Sequence, residues 1–308
     1  AFMPKMTDAT RGLLGTDLEG VTLEGEQLGA HRDFWERSAK VDAIRAISDQ
    51  DDEQSFEVSG RIDADDLAAL LSPGGAVLEI GCGTGRVMQH LAPACGRLHG
   101  IDIAEAMVAR GRERLAHLPN VSFEVGNGYD LAPFGNESFD LVYSLYAFQH
   151  MPKTTAYNYL VESARVLRPE GLLRFQVPNI LRDDHFLAFH HFTQPWFVEH
   201  PYPMHYYTPS EIMSLLGHAG FRLEDLDDQM IVLARKTPDV TASEEIRERV
   251  ASLEDPWLIH RLTERAQRSE REAAELGAEL EAMRRRKAVR IANAVRHPIE
   301  RLRRRRRP

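Results

Sequence analysis

Val77-Leu78-Glu79-Ile80-Gly81-Cys82-Gly83-Thr84-Gly85-Arg86 reads as a buried strand that ends in an acidic turn and opens through three glycines into a helix. Glycine carries no Cβ, so the backbone can turn sharply and lie against a ligand. N–H groups at the start of the following helix can face a polar cofactor. A dinucleotide fingerprint needs glycine at the first, third and sixth positions. Here the sixth position is Arg86, so the spacing is Gly-x-Gly-x-Gly.

Downstream of this turn the chain alternates. Strands are expected at 76–80, 97–102, 121–125, 139–144 and 172–177, with helices at 85–92, 104–117 and 154–168 between them. That order predicts a mostly parallel sheet with right-handed crossovers. A further helix at 209–219 stops at Gly220, a C-cap residue, and strands at 221–226 and 230–234 are close enough for a hairpin. Upstream, the stretch to Gly29 is rich in Gly, Asp and Glu and reads as mobile. A helix at 30–47 carries Phe34, Trp35, Val41, Ile44 and Ile47 on or near one face. A second, at 62–71, leads into the turn Ser72-Pro73-Gly74-Gly75.

The glycine spacing, with Glu79 just before it, resembles the first motif of class I S-adenosylmethionine (SAM)-dependent methyltransferases. The resemblance covers about 73–237 and implies a Rossmann-like α/β fold, a mostly parallel seven-stranded sheet with an antiparallel final hairpin. It also implies SAM as cofactor, held by Glu79, Gly81, Gly83 and Gly85. Asp102 ends the second strand 21 positions after Gly81 and can accept two hydrogen bonds from ribose hydroxyls. Gly100-Ile101-Asp102-Ile103-Ala104 matches the family's second motif and brings in Ile103. The alternative for Asp102 is a cap on the helix at 104–117. In the family an Asp commonly stands at the Asn127 position and contacts the adenine amino group. The Asn127 side-chain oxygen can accept the same bond, with Gly128 beside it, and a plain Asn-Gly turn is the alternative. Ser144 and Leu145 close the fourth strand, where the methionine end of the cofactor is expected.

Tyr146-Ala147-Phe148-Gln149-His150-Met151-Pro152 resembles the family's post-strand motif and departs from the Asn/Asp-Pro-Pro-Tyr/Phe signature of many amino-group methyltransferases on nucleic acids. His150 is the expected general base for a hydroxyl acceptor, because a histidine titrates near neutrality. Its alternative is a structural histidine at the helix start. Tyr146 and Gln149 are expected beside the acceptor. Residues 182–208 interleave histidines with aromatics and read as a lid over the acceptor, with His190, His191, Trp196, His205 and Tyr206 as substrate contacts. A packed lid without chemistry is the alternative. A divalent ion suits some sugar methyltransferases, but the histidine content does not define one and no metal is predicted. Trp35 and its helix are expected to close over the cofactor from the N-terminal side, as the family's variable N-terminal helices do, and Phe34-Trp35-Glu36-Arg37-Ser38-Ala39-Lys40 loosely resembles the start of bacterial methyltransferases acting on sugars or cell-surface glycans. The expected acceptor is therefore a sugar or glycan hydroxyl, with a natural product or other small molecule as the second choice. A non-catalytic SAM-binding scaffold is the choice from another class.

Charge is uneven. Of 38 Lys and Arg, 12 fall in 284–308 with one acid, Glu300, so this segment carries +11 and the remainder −20. An acidic body argues against a broad nucleic-acid surface. Leu262, Ala266, Ser269, Ala273, Leu276, Leu280 and Met283 alternate at spacings of four and three, a weak coiled-coil seam, so a homo-oligomer through 246–283 is expected. In the tail, Ala288, Ile291, Ala292, Val295, Ile299 and Leu302 share one helix face among arginines, interrupted at Pro298. Such a helix suits an anionic membrane surface; a disordered basic extension and nucleic-acid contact are the alternatives. Two cysteines without metal-ligand spacing and no apolar leader predict a reducing cytoplasm, at the inner face of the cell membrane. The expected division is a helical cap at 1–72, a SAM-binding core at 73–237 with its lid at 182–208, a coiled coil at 243–283 and a basic amphipathic tail at 284–308.

Overall fold

A computed structural model describes residues 23–41, 53–192 and 204–254, together with positions 268 and 271. The coiled-coil seam and the basic tail lie outside the described residues, apart from the start of the helical segment in α8.

Seven strands form one sheet in the order β3-β2-β1-β4-β5-β7-β6. These are β1 Ala76–Ile80, β2 Arg97–Asp102, β3 Val121–Val125, β4 Phe139–Ser144, β5 Leu167–Gln176, β6 Phe221–Leu226 and β7 Ile231–Lys236. β1 through β5 pair in parallel, and β7 lies antiparallel between β5 and β6. The sheet is the mostly parallel one expected, with its antiparallel final hairpin. β1 is buried along its whole length because helices cover both faces of the sheet, which explains its unbroken apolar run. Leu78 and Ile80 face the core built with α5 (Lys153–Val166), α7 (Pro209–Ala219) and α8 (Glu244–Leu253). Val77 faces the other core, with α2 (Glu53–Ala68), α3 (Met88–Leu91) and α4 (Glu105–Arg114).

Several boundaries differ from expectation for local reasons. The first helix, α1, spans Leu23–Val41, so it begins inside the stretch read as mobile. α2 starts nine residues before the expected 62, with Glu53 in its first turn, where a carboxylate suits the helix dipole. It buries Phe56, Gly60, Ala64 and Leu67 at spacings of four, four and three. The helix after the glycines is regular only over Met88–Leu91. β5 pairs from Leu167 rather than 172, because Leu167 meets Phe139 before Glu170, at φ 62°, kinks the strand and shifts the register. α7 keeps its expected bounds. Thr208 caps its start by accepting the Glu211 amide at 3.2 Å, and Gly220 at φ 90° ends it. α6 (Asp183–Phe192) was not anticipated and forms the first part of the lid segment.

Candidate active site

The strand order reverses between β1–β2 and β1–β4, and ligands in open α/β sheets bind in the crevice beyond such a point. The glycine turn sits there. Gly81, Gly83 and Gly85 have φ of 74°, 51° and 80°. A methyl at Gly81 would land on the Ala147 methyl, and one at Gly85 would lie 2.7 Å from Leu115 and 3.0 Å from Phe123. The turn therefore needs glycine on both sides of the sheet end. Its amides are used differently from the helix-start expectation. Gly81 and Cys82 donate to the Ile101 carbonyl at 2.8 and 3.2 Å, Gly83 donates to Asp102 Oδ2 at 2.8 Å, and Gly85 donates to the Cys82 carbonyl at 2.9 Å. The turn is thus braced by β2, and its contribution to a ligand is the close approach of bare backbone.

Asp102 also accepts the Ala104 amide through Oδ1 at 2.9 Å, holding the start of α4. A carboxylate offers about four acceptor sites, and the Gly83, Ala104 and Ile103 amides draw on three of them, so bracing the turns competes with a full pair of ribose hydrogen bonds. Burial pushes its pKa up against the pull of these backbone amides. Ile103 lies between Asp102 and the α4 N-cap Ala104. Glu79 is buried on the sheet face beneath the turn, where Tyr143 donates to it at 2.8 Å. Burial raises its pKa to about 8 against the pull of the Tyr143 hydrogen bond.

Asn127 takes the turn alternative. Its Oδ1 accepts the Tyr129 and Asp130 amides at 2.8 and 3.0 Å, and its Nδ2 donates to Asp130 at 2.9 Å. An amide oxygen with both lone pairs so engaged is not free for an adenine amino group. Gly128, at φ 83°, allows the turn. Ser144 is fully buried and donates to the Ile80 carbonyl at 2.9 Å, fastening the ends of β4 and β1 together.

After β4 the chain reverses through Tyr146 at φ 63° into a 3-10 turn, Phe148–His150. The contact of Ala147 on Gly81 sets this turn directly beside the glycines. The Arg86 guanidinium lies over the Tyr146 ring at 5.4 Å and pairs with Asp63 of α2 at 2.6 Å. The Gln149 carboxamide nitrogen is 3.2 Å from His150 Nε2, and the Gln149 carbonyl accepts the His205 amide at 2.6 Å. The chain on either side of the segment expected as a lid is joined by backbone bonds from the Ile180 amide to the Tyr207 carbonyl and from the Tyr207 amide to the Pro178 carbonyl, both 3.0 Å. Arg182, just before α6, joins Asp184 of that helix to Asp228. Tyr206 is buried edge-on to Phe189, and its hydroxyl has no hydrogen-bond partner among the described residues. His190 lies on the exposed side of α6. The side chain of His191 and the whole of Trp196 lie outside the described residues. Among the described residues no group of three or more His, Cys, Asp and Glu could hold a metal ion.

Helix α1 crosses this region. Arg32 donates to the Asn127 carbonyl at 3.4 Å, Glu36 accepts the Ala106 amide at 3.1 Å, and the Trp35 ring meets His150 at 5.2 Å and 66°. The sequence reading had Trp35 but missed His31, Arg32 and Glu36. The available signal was their position within four residues of Trp35, on the same turns of one helix.

Residues 77–171 match the family model described as methyltransferase domain. The chain is 31% identical over 147 residues to methyltransferase GfsG of Streptomyces halstedii, covering 46% of this chain and 48% of that one. It is 28% identical over 209 residues to O-methyltransferase resE of Aspergillus sclerotiorum, covering 64% and 70%. The chain spans about half the length, or less, of the first curated relatives it matches. In fold it resembles phosphoethanolamine N-methyltransferase 1 of Haemonchus contortus, solved with phosphoethanolamine and S-adenosylhomocysteine. The TM-score is 0.54 at 18% identity, covering 79% of this chain and 57% of that one.

Proposed function

We propose that this chain, which belongs to the class I SAM-dependent methyltransferases, methylates a hydroxyl oxygen of a sugar or glycan with His150 as general base. The observation that carries the reading is the packing of Ala147 on Gly81, since it brings the Phe148–His150 turn against the glycine cradle. Similarity to a protein named an O-methyltransferase supports oxygen as the methylated atom.

The cradle fits the cofactor. Three glycines with positive φ leave no Cβ in the way, and Asp102, bonded by three backbone amides, keeps acceptor capacity for a ribose hydroxyl. The Asn127–Gly128 backbone borders the adenine end, and Ser144 and Leu145 border the methionine end. When bound, the cofactor supplies a sulfonium methyl whose C–S bond breaks as the acceptor oxygen bonds to carbon. The Gln149 carboxamide nitrogen, 3.2 Å from His150 Nε2, donates to it in the tautomer that leaves Nε2 as the acceptor. An incoming hydroxyl replaces this bond, and Nε2 takes its proton as the oxygen attacks. Alignment and exclusion of water are the remaining work. They fall to Trp35 from α1 and to Tyr146, His205 and Tyr206, with His190, His191 and Trp196 on the lid.

For the chain as a whole we read 1–72 as a helical cap and 73–237 as the core. From the sequence pattern we read 243–283 as a self-associating segment and 284–308 as a basic tail that holds the protein at an anionic membrane face, near lipid-linked glycans. Radiolabelled SAM offered with glycan, lipid-linked glycan, RNA and metabolite fractions tests the acceptor; label in glycan supports the reading. Label confined to metabolites favours a natural-product acceptor, and none in any fraction favours a SAM-binding scaffold. The His150→Ala variant should lose about 10²-fold or more in turnover while still binding S-adenosylhomocysteine; unchanged turnover removes His150 as base.

A further inference from the structure

His31 lies one helical turn before Trp35 on α1, and the two side chains meet: the Trp35 indole N–H donates to His31 Nε2 at 2.8 Å. His31 is buried at 8% exposure. A histidine can accept at Nε2 only while that nitrogen is unprotonated. Burial, reinforced by the nearby His205, holds the His31 pKa down at about 4, so the acceptor is available at neutral pH. The other side of the indole faces the acceptor region, with its ring edge-on to His150. Trp35 also packs with Ala39, Ala104 and Met107.

An indole held only by packing could rotate about χ1 and χ2. A fixed N–H acceptor on the same helix removes that freedom. We propose that His31 is a positioning residue: by accepting the Trp35 N–H it fixes the indole wall against which His150 and the methyl acceptor are aligned. The proposal rests on the reading of His150 as base, and its structural half stands without it. His31 touches neither cofactor nor acceptor in this scheme, and it acts through Trp35.

The test is nitrogen-15 and proton NMR of the intact chain, with the Trp35 indole assigned by Trp35→Phe. The wild type should show scalar coupling across the Trp35 Nε1–His31 Nε2 bond, and absence of that coupling overturns the proposal without any variant. His31→Leu should abolish it and shift the His150 titration midpoint. It should also lower kcat about tenfold or more, with S-adenosylhomocysteine affinity retained. His31→Gln, which restores a side-chain oxygen as acceptor, should recover both. A His31→Leu variant with an unmoved His150 midpoint, or a Gln variant no better than Leu, also overturns it. The resonances are read without methyl transfer, so failure to find a hydroxyl acceptor condemns the proposed function and not the His31–Trp35 pair.

Discussion

The Gly83 amide donates to Oδ2 of Asp102 at 2.8 Å, tying the turn after β1 to the end of β2. One carboxylate thereby braces the cradle, and in the proposed function it also meets the ribose. Asp102→Ala should weaken S-adenosylhomocysteine binding by about 10-fold to 10²-fold, the loss of hydrogen bonds to a charged acceptor. It should also lower the melting temperature, because the Gly83 and Ala104 amides lose their partner. Calorimetric titration checks the first effect, and unaltered affinity would remove Asp102 from ribose recognition.

Glycine positions should separate sharply. Gly81→Ala combines a positive φ with a methyl driven into Ala147, and should cost about 2–4 kcal/mol. Gly217 is in α7 with nothing within 4 Å of its absent Cβ, so Gly217→Ala should stabilise by about 0.5–1 kcal/mol. Denaturant melts of the two variants give the comparison, and equal effects would contradict the packing described.

Arg86 is 7% exposed and Asp63 23% in a pair 2.6 Å apart that joins the glycine turn to α2. Arg86→Met keeps the volume but leaves Asp63 without its cation, and should cost about 2–4 kcal/mol. The double variant Arg86→Met with Asp63→Leu should regain part of that loss. A double-mutant cycle with no coupling would show the pair to be incidental.

Stability should depend on pH through two buried groups with opposite signs. Glu79, raised from 4.5 to about 8, binds more protons folded than unfolded between those values, so its contribution is lost as pH rises through about 8. His31, lowered from 6.5 to about 4, binds more protons unfolded, so its contribution is lost as pH falls through about 4. The two slopes oppose each other between pH 4.5 and 6.5, and Glu79 acts alone of the pair from 6.5 to 8. There it should reduce stability by about 1.4 kcal/mol per pH unit. Glu79→Gln should flatten that limb, and His31→Gln should soften the acid limb. Urea melts across pH 4–8.5 measure both.

The sequence by itself determined the sheet, the place of the cradle and the cofactor class. Strand runs, a glycine spacing and an acid at the second strand end are local patterns, and backbone sterics and burial act on them within a few residues. The positions of Ser144 and Asp102 at their strand ends were legible for the same reason, but the bonds of Ser144 to Ile80 and of Asp102 to Gly83 were not. What Asn127 does with its amide was not, because a turn to Tyr129 and Asp130 competes for the same two lone pairs. Only tertiary structure decided that Glu79 turns beneath the loop to Tyr143, 64 residues away, and that Ala147 fills the space above Gly81. Only tertiary structure set the Trp35 ring against His150 and buried His31 behind it. Those contacts join residues far apart in the chain. They are selected by shape and by the need to pair buried polar atoms, which no periodicity along the chain encodes.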